Sequence, residues 1–184
     1  MGEGGYKIRD QQAIHFITFA VVEWVDVFTK QVYRDIILDS LRFCQRKKGL
    51  VIYSWVIMSN HVHFILSARE GFNLSNILRD FKKYTSVNIM QAIKDNEQES
   101  RRERMLSIFR KVGKSNSRNE RNQFWRQDNQ PKELDSNIMM DQKLNYIHDN
   151  RVKAGIVELP ENYVHNSAKD YAGEKGLLEI AFLD

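Results

Sequence analysis

The chain of 184 residues carries one cysteine, Cys44, which excludes an internal disulfide and fits a reducing cytoplasm. No apolar run approaches the roughly 20 residues needed to cross a bilayer, and no secretory signal is read at the start. Internal repeats are lacking, as is any linker able to divide two domains. One domain over residues 1–184 is therefore expected. Within it, 1–5 are expected to be a disordered glycine-rich start, and 153–184 a C-terminal extension that packs back through Leu177, Leu178, Ile180 and Phe182. What is present suffices for a core: 42% of residues are hydrophobic and 11% aromatic, which argues against disorder.

A net charge of +4 suggests a polyanionic partner without establishing one, and the distribution says more. Between Arg101 and Arg126 nine lysines and arginines (Arg101, Arg102, Arg104, Arg110, Lys111, Lys114, Arg118, Arg121, Arg126) face two acids, Glu103 and Glu120. Such a run is ordinarily a solvated face. Phe109, Phe124 and Trp125 add stacking surfaces, the combination that single-stranded nucleic acid favours.

β-branched and aromatic residues predict a strand over His15–Val22. Helical periodicity follows over Gln31–Lys48, where Cys44 shares an apolar stripe with Tyr33, Ile37 and Leu41. Leu50–Ser59 reads as a second strand, joined by the short Ser59-Asn60 turn to a third as a hairpin. Leu74, Ile77, Leu78 and Phe81 then recur at helical spacing through Ile93, with Ser75 or Asn73 as cap. The order β-α-β-β-α is that of a ferredoxin-like antiparallel sheet with helices on one face, an α+β fold. Asp95–Asn122 reads as a basic helix and a mobile loop, loosest from Gly113 to Asn122. Gln123–Gln130 is expected to supply a fourth strand or extended segment, and Met140–Asn150 a helix with the stripe Met140, Leu144 and Ile147.

The most informative segment is Asn60-His61-Val62-His63, between two apolar runs. Residues two apart on a strand point the same way, so both imidazoles can meet one metal ion while Val62, Phe64 and Leu66 enter the core. A lone His-x-His on a strand is more often a surface or satisfied pair. Further along, Tyr146 lies off the apolar stripe, on a polar row with Gln142 and Asn150. Taken alone it reads as a half-exposed tyrosine at the core edge. With Asn150 one turn later, it gives a set of two imidazoles and one oxygen suited to Mg²⁺ or Mn²⁺ beside a nucleophilic phenol.

Four motifs in order resemble the single-tyrosine HUH transposases of bacterial insertion sequences, above all the REP-associated tyrosine transposases. They are Met58-Ser59-Asn60-His61-Val62-His63, then Leu78-Arg79-Asp80-Phe81-Lys82-Lys83-Tyr84-Thr85-Ser86, then Phe124-Trp125, and finally the segment from Tyr146-Ile147-His148-Asp149-Asn150 through Gly155. The resemblance spans Tyr6 to Tyr171. It implies His61, His63 and Asn150 as metal ligands for Mg²⁺ or Mn²⁺, and Tyr146 as the nucleophile that forms a 5′-phosphotyrosine link and frees a 3′-hydroxyl. It also implies single-stranded DNA with hairpin or palindromic ends as substrate. Candidate DNA contacts are Arg79, Lys82, Lys83, Arg101, Arg102, Arg104, Arg118, Arg121, Trp125 and Arg126, with Trp125 equally readable as a core anchor. A bacterial, nucleoid-associated setting follows. So does possible dimerisation, since insertion-sequence relatives are dimers while REP-associated relatives can act as monomers.

Two departures bear on geometry. The family usually carries Asn-Pro where this chain has Asn150-Arg151, and Arg151 lets the helix run on past the point where proline would stop it. Tyr163-Val164-His165-Asn166-Ser167-Ala168 stands where a tryptophan and paired serines are common. Tyr84, three residues after Phe81, is the rival nucleophile and reads as core. Other readings are a domesticated protein acting on genomic palindromes, a non-catalytic nucleic-acid-binding module on the same sheet, and a replication initiator or relaxase.

Overall fold

The computed structural model describes residues 8–116, 121–127 and 129–183. Four strands, β1 (His15–Ala20), β2 (Leu50–Ile57), β3 (His61–Ala68) and β4 (Lys132–Glu133), form one sheet in the order β2-β3-β1-β4. Strand β3 lies antiparallel to both β1 and β2, so β1 and β2 run parallel around it, joined by helix α1 (Gln31–Lys47). This is the split βαβ arrangement that the order of elements predicted. Helices α2 (Leu74–Asp95), α3 (Arg102–Lys114), α4 (Asn137–Lys153) and the short α5 (Ala168–Tyr171) complete it. Asn73 provides the cap of α2, accepting from Asn76 N at 2.9 Å. No helix among the described residues is long and apolar enough to cross a membrane.

Alternation assigns the faces. Val62, Phe64 and Leu66 join Ile17 and Phe19 of β1 in a core with α1 and α2, and Ile65 points the other way with the histidines' face. In β2 the phase changes midway. The pairing skips Tyr53, so Leu50 and Ile52 before it, and Trp55 and Ile57 after it, all reach the same core. Without that one-residue bulge the last two would face the opposite side. The α1 stripe of Tyr33, Ile37, Leu41 and Cys44 is buried as expected, and burial pushes the Cys44 thiol up to about 11, a non-reactive state at neutral pH. Gly49, at φ +68°, turns the chain from α1 into β2, and any side chain there would run into the Phe72 ring.

One expectation is resolved and one corrected. The fourth strand is Lys132–Glu133, paired with β1, and of the two readings of Gln123–Gln130 the extended segment is the one that fits: Phe124 and Trp125 are buried in the core, Trp125 bridges to Val21, and the backbone bonds to Ala20 and Val22. Tyr84 is 55% exposed, because the buried row of α2 runs Leu74, Ile77, Phe81, Thr85, Ile89, Ile93 and leaves Tyr84 about 100° off it.

Helix α4 covers the second face of the sheet. Ile147 is fully buried against Val56, Met58 and Ile65, with Met140 and Leu144 packed around them. The helix does run on past Asn150, to Lys153. Arg151 is buried, and its Nη2 donates to Ile57 O (3.2 Å) and to the Tyr163 hydroxyl (2.9 Å), with the guanidinium 4.5 Å from the Tyr163 ring centre. The tail beyond lies along the open edge of β2: Ile57 N donates to His165 O, Ser167 N to Trp55 O, and Ala181 N to Ile52 O. An otherwise unpaired strand edge is thereby closed. Ser54, His148 and Ser167 share a buried hydrogen-bonded cluster that ties α4, β2 and the tail together. Of the four expected tail anchors Leu178 is buried, Leu177 and Ile180 pack half-buried against the core, and Phe182 stays 56% exposed.

Arg151→Ala should therefore cost about 1.5–3 kcal/mol, the range for hydrogen bonds from a charged donor. Arg151→Pro should cost about 3 kcal/mol or more, despite proline being usual there in the family that the motifs resemble, because the helix continues through this position. Urea unfolding midpoints give both values, and equal stability of Arg151→Pro and wild type would contradict the anchoring role.

Candidate active site

Three elements meet at one site: β3, β1 and the helix α4 that covers them. Strand β3 sends His61 and His63 to this face, their ring centres 4.7 Å apart and nearly perpendicular. Strand β1 pairs Thr18 with His63 and Ala20 with His61, which places Phe16 and Thr18 alongside. Phe16 stacks on His63 at 5.5 Å. From α4, Tyr146 lays its ring edge-on to His63, 5.2 Å between centres, and to Phe16 at 6.0 Å. Lys143, one turn earlier, holds its ammonium over Phe16 (4.4 Å) and near the Tyr146 ring (5.4 Å). The sequence-predicted nucleophile and histidine pair thus share one site. Tyr84 lies on α2, which packs on the opposite face.

Each imidazole is held through Nδ1. His61 Nδ1 donates to Asn60 Oδ1 at 2.7 Å, and the Asn60 amide is oriented in turn by donating to Trp24 O (3.2 Å) and Asp26 Oδ1 (3.1 Å). That bond puts the proton on Nδ1 and leaves Nε2 a lone-pair nitrogen. His63 Nδ1 lies 2.7 Å from Thr18 Oγ1, which can accept its proton. His63 Nε2 is buried and has no hydrogen-bond partner among the described residues. An orphaned buried nitrogen carries a desolvation cost of about 1–3 kcal/mol that a ligand would relieve. Burial, with a contribution from Arg151, lowers His61 to about 4. Burial first, then the charges of His61 and Lys143, lowers His63 to about 3. Both are neutral at pH 7, the form that binds metal.

Asn150 is half-buried on α4 one turn beyond Tyr146, and its side chain makes no hydrogen bond among the described residues. Tyr146 is 42% exposed, and its hydroxyl likewise has no partner there. Among the described residues no group of three His, Cys, Asp or Glu converges, so the two imidazoles are the only strong ligands in place. The donor set fits a cation that keeps most of its coordination for water and substrate oxygens.

The basic candidates are dispersed in role. Arg101 is committed to structure: it pairs with buried Glu99 at 3.0 Å and donates to Asp26 O at 2.7 Å. The Arg101 hydrogen bond to Glu99, the largest influence, holds the Glu99 carboxyl down to about 2. Arg79 pairs with Asp80, Arg102 with Glu103, and Lys82 donates to Arg126 O. Lys83, Arg104 and Arg121 are exposed. Arg118 lies outside the described residues. Trp125 is 4% exposed and donates from Nε1 to Thr85 Oγ1, so of its two readings the structure gives the core anchor.

Sequence reasoning missed Thr18, Phe16 and Lys143, which only strand register and helix docking bring to the histidines. It also missed Trp24. Glu23 and Trp24 both have φ of 52°, a conformation costing about 1–2 kcal/mol per non-glycine residue. Trp24 meets His61 edge-on at 5.8 Å.

Buried histidines also set an acid limit. Burial lowers His148 and His165 to about 4, alongside His61 and His63. All four lie below the ordinary 6.5, so the unfolded chain takes up protons first as pH falls. Their contribution is complete above pH 6.5 and is lost progressively toward pH 4, and for His63 toward pH 3. The urea midpoint should already fall between pH 6.5 and 5. A midpoint flat down to pH 5 would contradict this.

The sequence model of the family described as IS200-like transposase matches residues 9–108, which include both histidines and end before Tyr146. The structure of a REP-associated tyrosine transposase bound to a REP hairpin matches with a TM-score of 0.62 at 18% identity, over 100% of this chain and 94% of that one. At that identity the likeness is one of fold. A chain from Deinococcus radiodurans R1 assigned as a transposase matches at TM-score 0.43 and 18% identity, over 81% of this chain and 97% of its own, too distant to carry an argument. No curated protein matches significantly.

Proposed function

This chain belongs to the IS200-like transposase family, and from that premise we propose that it nicks and rejoins single-stranded DNA near hairpins through a covalent link to Tyr146. The observation that carries the reading is the placement of an exposed phenol 5.2 Å, ring to ring, from a neutral histidine whose buried Nε2 has no partner among the described residues. A tyrosine and a ligand-ready imidazole pair on one face are the parts that phosphodiester transfer requires.

His61 and His63, with Asn150 as the oxygen donor, would hold Mg²⁺ or Mn²⁺. Such a cation, when bound, supplies Lewis-acid neutralisation of charge on the scissile phosphate. The protein's own groups do the rest. The Tyr146 oxygen bonds to phosphorus, the bond from phosphorus to the 3′-oxygen breaks, the phenolic proton passes to water, and the departing 3′-oxygen takes a proton from water. The product is a 5′-phosphotyrosine and a free 3′-hydroxyl. Attack by that hydroxyl or another reverses the step and joins strands, so the energy of the phosphodiester is conserved and no nucleotide triphosphate is needed. Phe16 keeps His63 and Tyr146 in register, and Lys143 adds positive charge where the phosphate would lie.

The solved relative of like fold was bound to a hairpin, which supports hairpin DNA as the partner here, with Lys83, Arg104 and Arg121 as exposed backbone contacts. Incubation with single-stranded DNA from the gene's own flanks, with and without Mn²⁺, tests the reading on a denaturing gel. A metal-dependent covalent protein–DNA band is expected. Tight binding without a band would favour a domesticated or purely binding protein.

A further inference from the structure

Trp24 is 52% exposed, whereas the other two tryptophans, Trp55 and Trp125, are 0% and 4% exposed. Large aromatics are ordinarily spent on burial, and this one sits on a backbone with two successive positive φ values. The strain is held from outside the segment: Asn60 Nδ2 donates to Trp24 O, and the same amide holds His61 through Oδ1. The indole therefore lies at a set distance from the histidine pair, its ring 5.8 Å from that of His61. The Arg126 guanidinium lies over it, 5.3 Å from the ring centre. Trp24 also lines a shallow cleft of about 210 Å³ with Glu23, Asp26, Arg104 and Ile108.

We propose that Trp24 is a stacking platform for one unpaired base of the DNA strand, next to the scissile phosphate, with Arg104 and Arg126 meeting the flanking phosphates. This rests on the strand-transfer reading and deepens it by assigning a positioning residue for the substrate. The lining suits the face of an uncharged base, since Glu23 and Asp26 balance Arg101 and Arg104 there and Trp24, Met105 and Ile108 supply apolar surface. It selects a single strand over a duplex, since a paired base cannot offer its face to a side chain. Stacking on an element tied to His61 through Asn60 would place the adjoining phosphate over the histidine pair and within reach of Tyr146.

The test is a coupling experiment in the full-length Tyr146→Phe protein, which on the strand-transfer reading should bind without cutting. Anisotropy is measured with labelled single-stranded hairpin DNA from the gene's flank and with a series in which one nucleotide at a time is made abasic. One position near the cut should weaken binding by roughly 5- to 150-fold, the range for one stacked base. Trp24→Ala should weaken the intact strand by a similar factor and show no further loss at that position, while Trp24→Phe should keep most of the affinity. Because the Asn60 contact is to the Trp24 backbone carbonyl, it survives these substitutions. Fully multiplicative losses, or equal affinity of Trp24→Ala for the intact strand, would overturn the stacking role. If the protein with Tyr146 intact forms no covalent band on this DNA, the strand-transfer reading fails and takes the proposal with it. A band without coupling at Trp24 overturns the proposal alone.

Discussion

Tyr146→Phe is expected to abolish the covalent protein–DNA product, lowering strand cleavage on the order of 10³-fold or more, while DNA affinity stays within about threefold. The substitution removes only a hydroxyl, and that hydroxyl makes no hydrogen bond among the described residues. The contacts of the ring with Phe16 and His63 are to carbon surfaces that phenylalanine keeps. Stability should therefore move by less than about 0.5 kcal/mol, as for surface substitutions. Paired gels and anisotropy separate the effects. Loss of binding together with cleavage would make Tyr146 a binding residue. Unchanged cleavage would remove it from the chemistry.

The second large effect concerns the histidine pair. If His61 and His63 hold a divalent cation, Mn²⁺ at about 100 times its dissociation constant should stabilise the wild type by about 2.7 kcal/mol. That corresponds to a Tm rise of roughly 5–10 °C for a chain of this length. His61→Ala and His63→Ala should each lose the rise altogether, with cleavage lost in parallel. Asn60→Ala should retain both imidazoles but release His61 from its 2.7 Å bond, so the same rise should need roughly 10- to 100-fold more Mn²⁺. This graded pattern is specific to a metal site. Identical Mn²⁺ responses in wild type and His63→Ala would show that the cation binds elsewhere.

Much of the architecture was legible because its signals are local. Alternation in β3 told which residues enter the core and which carry the histidines outward, and the cap at Asn73 and the stripe of α1 behaved as their side chains require. The errors arose where local pattern and tertiary use part. Strand β4 is two exposed residues, too short to show alternation, and the aromatic pair Phe124-Trp125, open to reading as strand or extended segment, is drawn into the core. Tyr84 seemed to follow Phe81 into the interior. The helix instead buries Thr85, whose hydroxyl donates back to Phe81 O and accepts from Trp125 Nε1, so a polar residue hid a core position.

The site divides the same way. Both histidines, Tyr146 and Asn150 could be named from motifs, yet what surrounds the histidines depends on register: Thr18 opposite His63, Phe16 on its ring, Lys143 over both aromatics. The charge run from Arg101 to Arg126 likewise read as one basic surface. In the fold Arg101 is bound to Glu99 and Arg102 to Glu103, while Arg104, Arg110 and Arg121 stay exposed. Arg151 was recognised as a departure, but its burial between Ile57 and Tyr163 follows only from the tail folding back along β2.

The most direct test of the central claim is to identify the residue that carries DNA. Wild-type protein is incubated with its flanking single-stranded hairpin and Mn²⁺, digested with nuclease and protease, and the phosphonucleotide-bearing peptide is sequenced by mass spectrometry. The account predicts a single modified peptide, with the adduct on Tyr146. A modification at Tyr84, or at any residue off the α4 face of the sheet, would contradict it.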